Sequence, residues 1–264
     1  MLLREILEKL SQGKISVDDA ERALRVDIVE KVGEVARLDV SRSIRRGVPE
    51  IVLAEGKSDD DLIAICVSMI KRNSRVIVSR ASETQLSSLK RGLDETHEIE
   101  ECPHGSCIVV KKTGFVSEKT GGRVGILTAG TVDLAVAEET AMIAREMGCV
   151  TYVEADAGVA GIHRLTEPLS NLVAKDVDCL VVVAGREGAL PTVVAGLVDV
   201  PLIAVPTSSG YGYGGAGTAA LMAMLQACSL GLAVVNIDSG IAAGVIASVI
   251  ANRAARARSS QKQG

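Results

Sequence analysis

The sequence predicts an α/β fold: a three-layer αβα parallel sheet in the C-terminal part, with a smaller N-terminal α/β domain before it. Three observations carry that expectation. After residue 120, five short apolar runs, "RVGILTA", "CVTYVEA", "CLVVVAG", "VPLIAVP" and "LAVVNI", alternate with helical segments starting near Leu134, Thr166, Ala189 and Gly217. Strands and helices alternating in this way form parallel sheets joined by right-handed crossovers. Apolar residues make up 47% of the chain, yet there is no Trp and only one Phe. The core is therefore built from Ala, Val, Ile and Leu, as in sheets buried on both faces. Finally, 20 of the 29 Lys and Arg lie in the first 120 residues, whereas 19 of the 26 Gly lie after them. That shift, with the polar stretch "KKTGFVSEKTGGR", divides the chain into domains 1–118 and 119–264.

Taken in order, the first domain opens with helical periodicity over Leu2–Gln12 and Ser16–Leu24, the second marked by a capping-box-like "SVDD". A strand-helix-strand-helix pattern follows in "EIVLAE", "DDDLIAICVSMIKR", "RVIVS" and "SETQLSSLKR". The run "HEIEECPHGSC" reads as a hairpin turned at Pro103, His104 and Gly105. It also gathers His97, Cys102, His104 and Cys107, all metal-ligand types, but without the C-x2-C and H-x3-H spacings of zinc modules. After the five C-terminal strands, "GIAAGVIASVIANRAARAR" closes the chain as a helix. This segment and "TAALMAMLQAC" are apolar around most of their faces. More is buried than one chain's sheet covers, which predicts a homo-oligomer.

Composition narrows the partners. A net charge of −4 with no basic excess argues against nucleic acid. "MLLREILEKL" sets charges inside its apolar run, and "GIAAGVIASVIAN" falls short of the roughly 18 apolar residues that a membrane span needs. No membrane association and a cytoplasmic location are expected. Six cysteines in a chain of this length do not form a secreted disulfide framework. Cys149 and Cys179 open apolar runs and read as packing residues.

In open parallel sheets, ligands bind outside the carboxyl ends of the strands. That rule selects the loops "AGTVD", "ADAGVAGIHR", "AGREGALP", "VPTSSGYGYGGAG" and "NIDSG". The fourth contains the G-x-G-x-x-G spacing at Gly210, Gly212 and Gly215, and again at Gly212, Gly214 and Gly217. Pro-Thr-Ser-Ser separates these glycines from the strand, unlike the dinucleotide fingerprint. A phosphate or pyrophosphate is expected here nonetheless, held by backbone N–H groups, the following helix N-terminus and the hydroxyls of Thr207, Ser208 and Ser209. Arg164 and Arg186 are the candidate anion clamps. His163 reads equally as a surface histidine, and Asp133 equally as a helix cap. Glu187 lies in a tight glycine loop at a strand end, a suitable place for a general base. Asp238 reads first as a cap of the last helix. Cys228, between a helix end and a strand start, is either a space-filling residue or a nucleophile, and is expected at the ligand side of the sheet.

From about Arg123 onward the sequence resembles the carboxylases and mutases of aminoimidazole ribonucleotide, the PurE-like fold, through "VVVAGREGALPTVVAGLVDVPLIAVPTSS" and "LQACSLGLAVVNI". It is more similar still to the LarB-type pyridinium-3,5-biscarboxylic acid mononucleotide synthases. "LDVSRSIRRGVPEIVLAEGK" resembles their N-terminal signature, and "TAGTVDLAVAEE", "GVAGIHRL", "GREGALPTVVAGLVDVPLIAVPTSSGYG" and "CSLGLAVVNID" match their motifs in order. The resemblance implies carboxylation of nicotinic acid adenine dinucleotide by carbon dioxide or bicarbonate, then phosphoanhydride cleavage with Mg²⁺ assisting. It implies Cys228 as nucleophile and Glu187 as proton-abstracting carboxylate, with Asp133 as a further candidate catalytic residue. Thr131, His163, Arg164, Arg186, Thr207, Ser208, Ser209, Gly210 and Gly212 fall in its substrate-binding loops. Asp39, Arg42, Arg46 and Lys57 fall in the N-terminal signature. The resembled folds form octamers, and the metal ligands stay unassigned. Three departures stand out: Val132 where the family commonly has Ser, Arg186 where an apolar residue is common, and "NIDSGIAAG" in place of a more usual Asn-Gly-Phe-Gly.

Overall fold

The computed structural model describes residues 3–20 and 47–261, together with the backbone of 30–32 and 36–38. The chain divides into two compact units, residues 1–100 with 107–115, and residues 101–106 with 116–264.

In the first unit, α1 (Leu3–Ser11) is followed by a second helix start at residues 17–20, where the Ser16 hydroxyl accepts the Asp19 N–H at 3.0 Å. β1 (Glu30–Val32) and β2 (Ala36–Leu38) form an antiparallel pair that the apolar pattern does not announce. β3 (Ile51–Leu53), α2 (Asp59–Asn73), β4 (Arg75–Ser79), α3 (Glu83–Gly92), β5 (His97–Glu101) and β6 (Ile108–Lys112) complete the unit. Ser58 caps α2 through the Asp61 N–H, and three aspartates in the first turn face the positive end of the helix. Ser82 and Gln85 form a reciprocal capping box on α3. The expected hairpin is present: β5 and β6 are neighbours across 102–107, where the Gly105 N–H donates to the Cys102 carbonyl. The sheet is mixed, in the order β3-β4-β6-β5, with β3 parallel and β6 antiparallel to β4. Leu62, Ile65, Cys66, Met69 and Ile70 recur at helical spacing along α2 and bury against Val76, Val78, Ile108 and Val110.

The second unit is the predicted parallel sheet. Its strands are β7 (Arg123–Thr128), β8 (Val150–Glu154), β9 (Cys179–Ala184), β10 (Leu202–Pro206) and β11 (Leu232–Val234), in the order β11-β10-β9-β7-β8. Every neighbouring pair is parallel. The connecting helices are α4 (Leu134–Glu146), α5 (Thr166–Ala174), α6 (Ala189–Ala195) and α7 (Thr218–Leu225), and α8 (Gly240–Gln261) ends the unit. Along β9, Cys179, Val181 and Val183 face α4 and α8, whereas Leu180, Val182 and Ala184 face α5, α6 and α7. Strand alternation thus serves two helical layers at once.

α8 meets α4 through small residues. A Cβ on Gly244 would lie 2.8 Å from the Thr140 carbonyl oxygen, and one on Gly240 would overlap that of Val136. Among the described residues no helix is long and apolar enough to cross a membrane.

Candidate active site

The strand order reverses between β7 and β9: the chain leaves β7 toward β8 on one side, then returns to β9 on the other. Such a switch point opens a crevice at the carboxyl edge, where the loops after β7 and β9 part. Asp133 lies there, 4% exposed. One carboxylate oxygen accepts the Gly130 N–H at 3.0 Å. The other accepts the hydroxyls of Thr207 at 2.7 Å and Ser209 at 3.2 Å, from the loop after β10. These two hydroxyls are also 2.8 Å apart. Gly185, at the end of β9, leaves room for them, since a Cβ would overlap the Ser209 Oγ and lie 2.7 Å from the Thr207 Oγ1. A buried carboxylate therefore ties together the loops after β7 and β10, with β9 passing beneath. Asp133 makes no side-chain cap on α4.

Several expectations are corrected here. The hydroxyls of Thr207 and Ser209, expected on an anion, are engaged with Asp133 or with each other. Ser208 is exposed, and its N–H donates to Asp238 at 2.9 Å. Asp238 thus joins the loops after β10 and β11, the role expected of it as a helix cap being replaced by this cross-loop bond. Arg164 is no free anion clamp either: its Nη1 lies 3.2 Å from both carboxylate oxygens of Asp156. Arg186 stacks its guanidinium 4.4 Å from the centroid of the Tyr211 ring. Thr131, Val132 and His163 are exposed at the same edge.

Glu187 occupies the turn between Arg186 at φ +53° and Gly188 at φ +63°. It is exposed, and among the described residues no ion-pair partner reaches it. Gly210, Gly212 and the rest of the glycine-rich segment lead into Gly217 at the start of α7. An exposed carboxylate, backbone N–H groups ahead of a helix and a buried acid that braces the loops share one edge. Asp39, Arg42 and Arg46 lie outside the described residues. Lys57 belongs to the first unit, in the loop after β3, where its carbonyl accepts from Gln85 at 3.0 Å.

Cys228 is elsewhere. It follows α7 and precedes β11, so it sits at the amino edge of the sheet, not at the ligand side where it was expected. The Ser229 hydroxyl beside it donates to the Thr192 carbonyl near the end of α6, and the Gly231 carbonyl accepts from Leu202 at the start of β10. A cavity of about 330 Å³ opens nearby, lined by Ala195, Val198, Asp199, Val200, Pro201, Leu230 and Gly231. Of the six cysteines Cys228 alone is exposed. Burial pushes the Cys66 and Cys179 thiols up to about 12, the latter helped by the Asp178 charge, and raises those of Cys102 and Cys149.

Residues 29–111 match the LarB/PurE-like N-terminal domain, and residues 123–263 match AIR carboxylase. The chain belongs to the AIR carboxylase family. Within it, the added N-terminal domain makes this a LarB-type member with a PurE-like C-terminal part. The chain is 38% identical to an uncharacterized protein of Methanocaldococcus jannaschii over 251 residues, covering 94% of this chain and 96% of the relative. It is 33% identical to the N5-carboxyaminoimidazole ribonucleotide mutase of the same organism over 124 residues, covering 46% of this chain and 74% of that protein. The second match spans less of the chain than the AIR carboxylase domain and the LarB-type N-terminal domain together. For a carboxylase-related family, the loops at the switch point are the expected seat of the ligand.

Among the described residues no group of three or more His, Cys, Asp or Glu is placed to hold a metal ion. Asp133 is engaged with three donors and Asp156 with Arg164, so this donor set does not fit a protein-held Mg²⁺.

Proposed function

We propose that the chain carboxylates the pyridinium ring of nicotinic acid adenine dinucleotide and hydrolyses its phosphoanhydride, releasing pyridinium-3,5-biscarboxylic acid mononucleotide and AMP. One observation carries the reading: on an AIR carboxylase domain preceded by a LarB-type domain, five thiols are buried and one, Cys228, is exposed. A pyridinium ring is electron-poor and does not attack carbon dioxide. Addition of the Cys228 thiolate converts it to a dihydropyridine, whose enamine carbon is nucleophilic. That carbon forms the new C–C bond. Glu187 removes the proton from the same carbon, and the C–S bond breaks as aromaticity returns, regenerating the thiolate. Covalent catalysis splits one inaccessible step into easier ones. Water then cleaves the phosphoanhydride, with the phosphates lying along the backbone N–H groups of 210–217 and the N-terminus of α7. An Mg²⁺ ion there would arrive on the substrate's phosphates, as is common for this cation.

Cys228 and Glu187 lie at opposite edges of one sheet. The reaction therefore requires a homo-oligomer in which Cys228 of the partner subunit faces the carboxyl edge of the first. Exposed Met222, Leu225 and Leu230, at 61%, 66% and 91%, supply apolar surface beside that thiol for the contact. The test is mass spectrometry of the protein with nicotinic acid adenine dinucleotide and ¹³C-bicarbonate. Labelled biscarboxylated mononucleotide and AMP are expected. Carboxylation of aminoimidazole ribonucleotide instead, with the dinucleotide left intact, overturns the reading.

A further inference from the structure

Aromatic side chains are scarce in this protein: one Phe, three Tyr and no Trp. Two of these four stand in the open on the glycine-rich loop after β10, Tyr211 at 76% and Tyr213 at 111% exposure. Tyrosine is enriched at interfaces because its ring is apolar and its hydroxyl is polar, and these two adjoin the candidate active site. Their setting is built. Gly210 lies against the turn after β9: a Cβ there would be 3.3 Å from the Arg186 nitrogen and 3.4 Å from its Cα. Arg186 itself holds φ +53°, a conformation uncommon for a residue with a side chain. From that position its guanidinium covers one face of the Tyr211 ring at 4.4 Å. Most of the ring is left to solvent.

We infer that Arg186 and Tyr211 form a stacking platform for the nucleobase of the substrate, here the adenine of its AMP half. Bases stack on aromatic rings and on guanidinium planes, and an arginine on the far face fixes the orientation of the ring. Ser209, two residues before Tyr211, is tied to Asp133, so the platform adjoins the buried cluster. A base on Tyr211 places its ribose phosphate near the N–H groups of 212–217. The platform then distinguishes a dinucleotide from a mononucleotide that lacks this base. The inference rests on the proposed dinucleotide reading for the ligand's identity, but base stacking is measurable without turnover.

With no Trp present, tyrosine emission reports the platform directly. AMP is expected to quench it in the wild type and in Tyr213→Ala, and to lose that quenching in Tyr211→Ala. Nicotinic acid mononucleotide and ribose 5-phosphate are expected to quench far less. In steady-state assays Tyr211→Ala is expected to raise KM for the dinucleotide by about ten- to a hundredfold, with Tyr211→Phe within about twofold of wild type because the ring face is kept. Quenching that persists unchanged in Tyr211→Ala, or is as strong with the mononucleotide, overturns the platform even if carboxylation occurs. Quenching by AMP without any carboxylation supports the platform and counts against the proposed reaction alone.

Discussion

The two edges of the parallel sheet differ in kind. At the carboxyl edge, Asp133 draws two loops onto one buried carboxylate, and the turn after β9 holds Arg186 and Gly188 at positive φ. At the amino edge an exposed thiol sits beside exposed leucines and an open cavity. The first edge is organised by bonds within the chain. The second presents surface that the chain itself does not cover. On the proposed reading, groups that position a substrate sit on a rigid scaffold, whereas the nucleophile sits on a surface for another copy to cover.

The largest expected effect breaks this division. Cys228→Ala is expected to lower carboxylation to about a thousandth of wild type or less, with no shift in thermal midpoint because the side chain is exposed. Co-expressing Cys228→Ala with Glu187→Gln subunits is expected to restore part of the activity, since some sites then combine an intact thiol with an intact carboxylate. No restoration in mixed oligomers would show that both groups act from one chain.

Next comes the carboxyl edge itself. Asp133→Ala leaves the Gly130 N–H and two hydroxyls without their acceptor and is expected to reduce stability by about 1–3 kcal/mol in urea unfolding. Gly185→Ala, which pushes a methyl into the same hydroxyls, is expected to have a similar or smaller effect, about 1–3 kcal/mol. Both also lower activity, in contrast to Cys228→Ala, which spares stability.

The smallest effect concerns the buried thiols. Cys66 must stay protonated in the folded state, because burial lifts it from 9.0 to about 12. Its contribution to stability is complete below pH 9.0 and falls as pH rises toward about 12, because the unfolded thiol ionises first. The urea midpoint is expected to fall over that window less steeply in Cys66→Ala than in wild type. A labelling reagent at neutral pH is expected to modify one thiol of the six rapidly, Cys228.

Much of this was legible beforehand. The runs "CLVVVAG" and "VPLIAVP" have the length and β-branched content of buried strands, and they became β9 and β10. The caps at Ser58 and Ser82 follow from hydroxyl residues ahead of helical periodicity. β1 and β2 were missed because three-residue strands carry too little alternation to register. At the site, the sequence points to the carboxyl-edge loops but not to the partners their side chains take within the chain. Thr207 and Ser209 read as donors to a phosphate, but nothing local shows that an aspartate 74 residues earlier for Thr207, or 76 for Ser209, accepts from them. Cys228 differs for another reason: adjacency to a strand in sequence does not say which end of that strand the thiol occupies. The Tyr211–Arg186 stack joins two loops, and no motif carries it.

α8 spans both edges. Its first residue, Gly240, follows shortly after the Asp238 that binds the Ser208 N–H. Near its end, Arg258 pairs with Asp178 and donates to the Gly121 carbonyl at 3.1 Å. At 22 residues the helix is about 33 Å long, and its small-residue contacts with α4 allow little sliding. It acts as a strut whose two anchors belong to different edges. Truncation before Arg258 is therefore a remote perturbation, loosening the carboxyl-edge loops without touching them. A tag appended after Gly264 leaves both anchors in place.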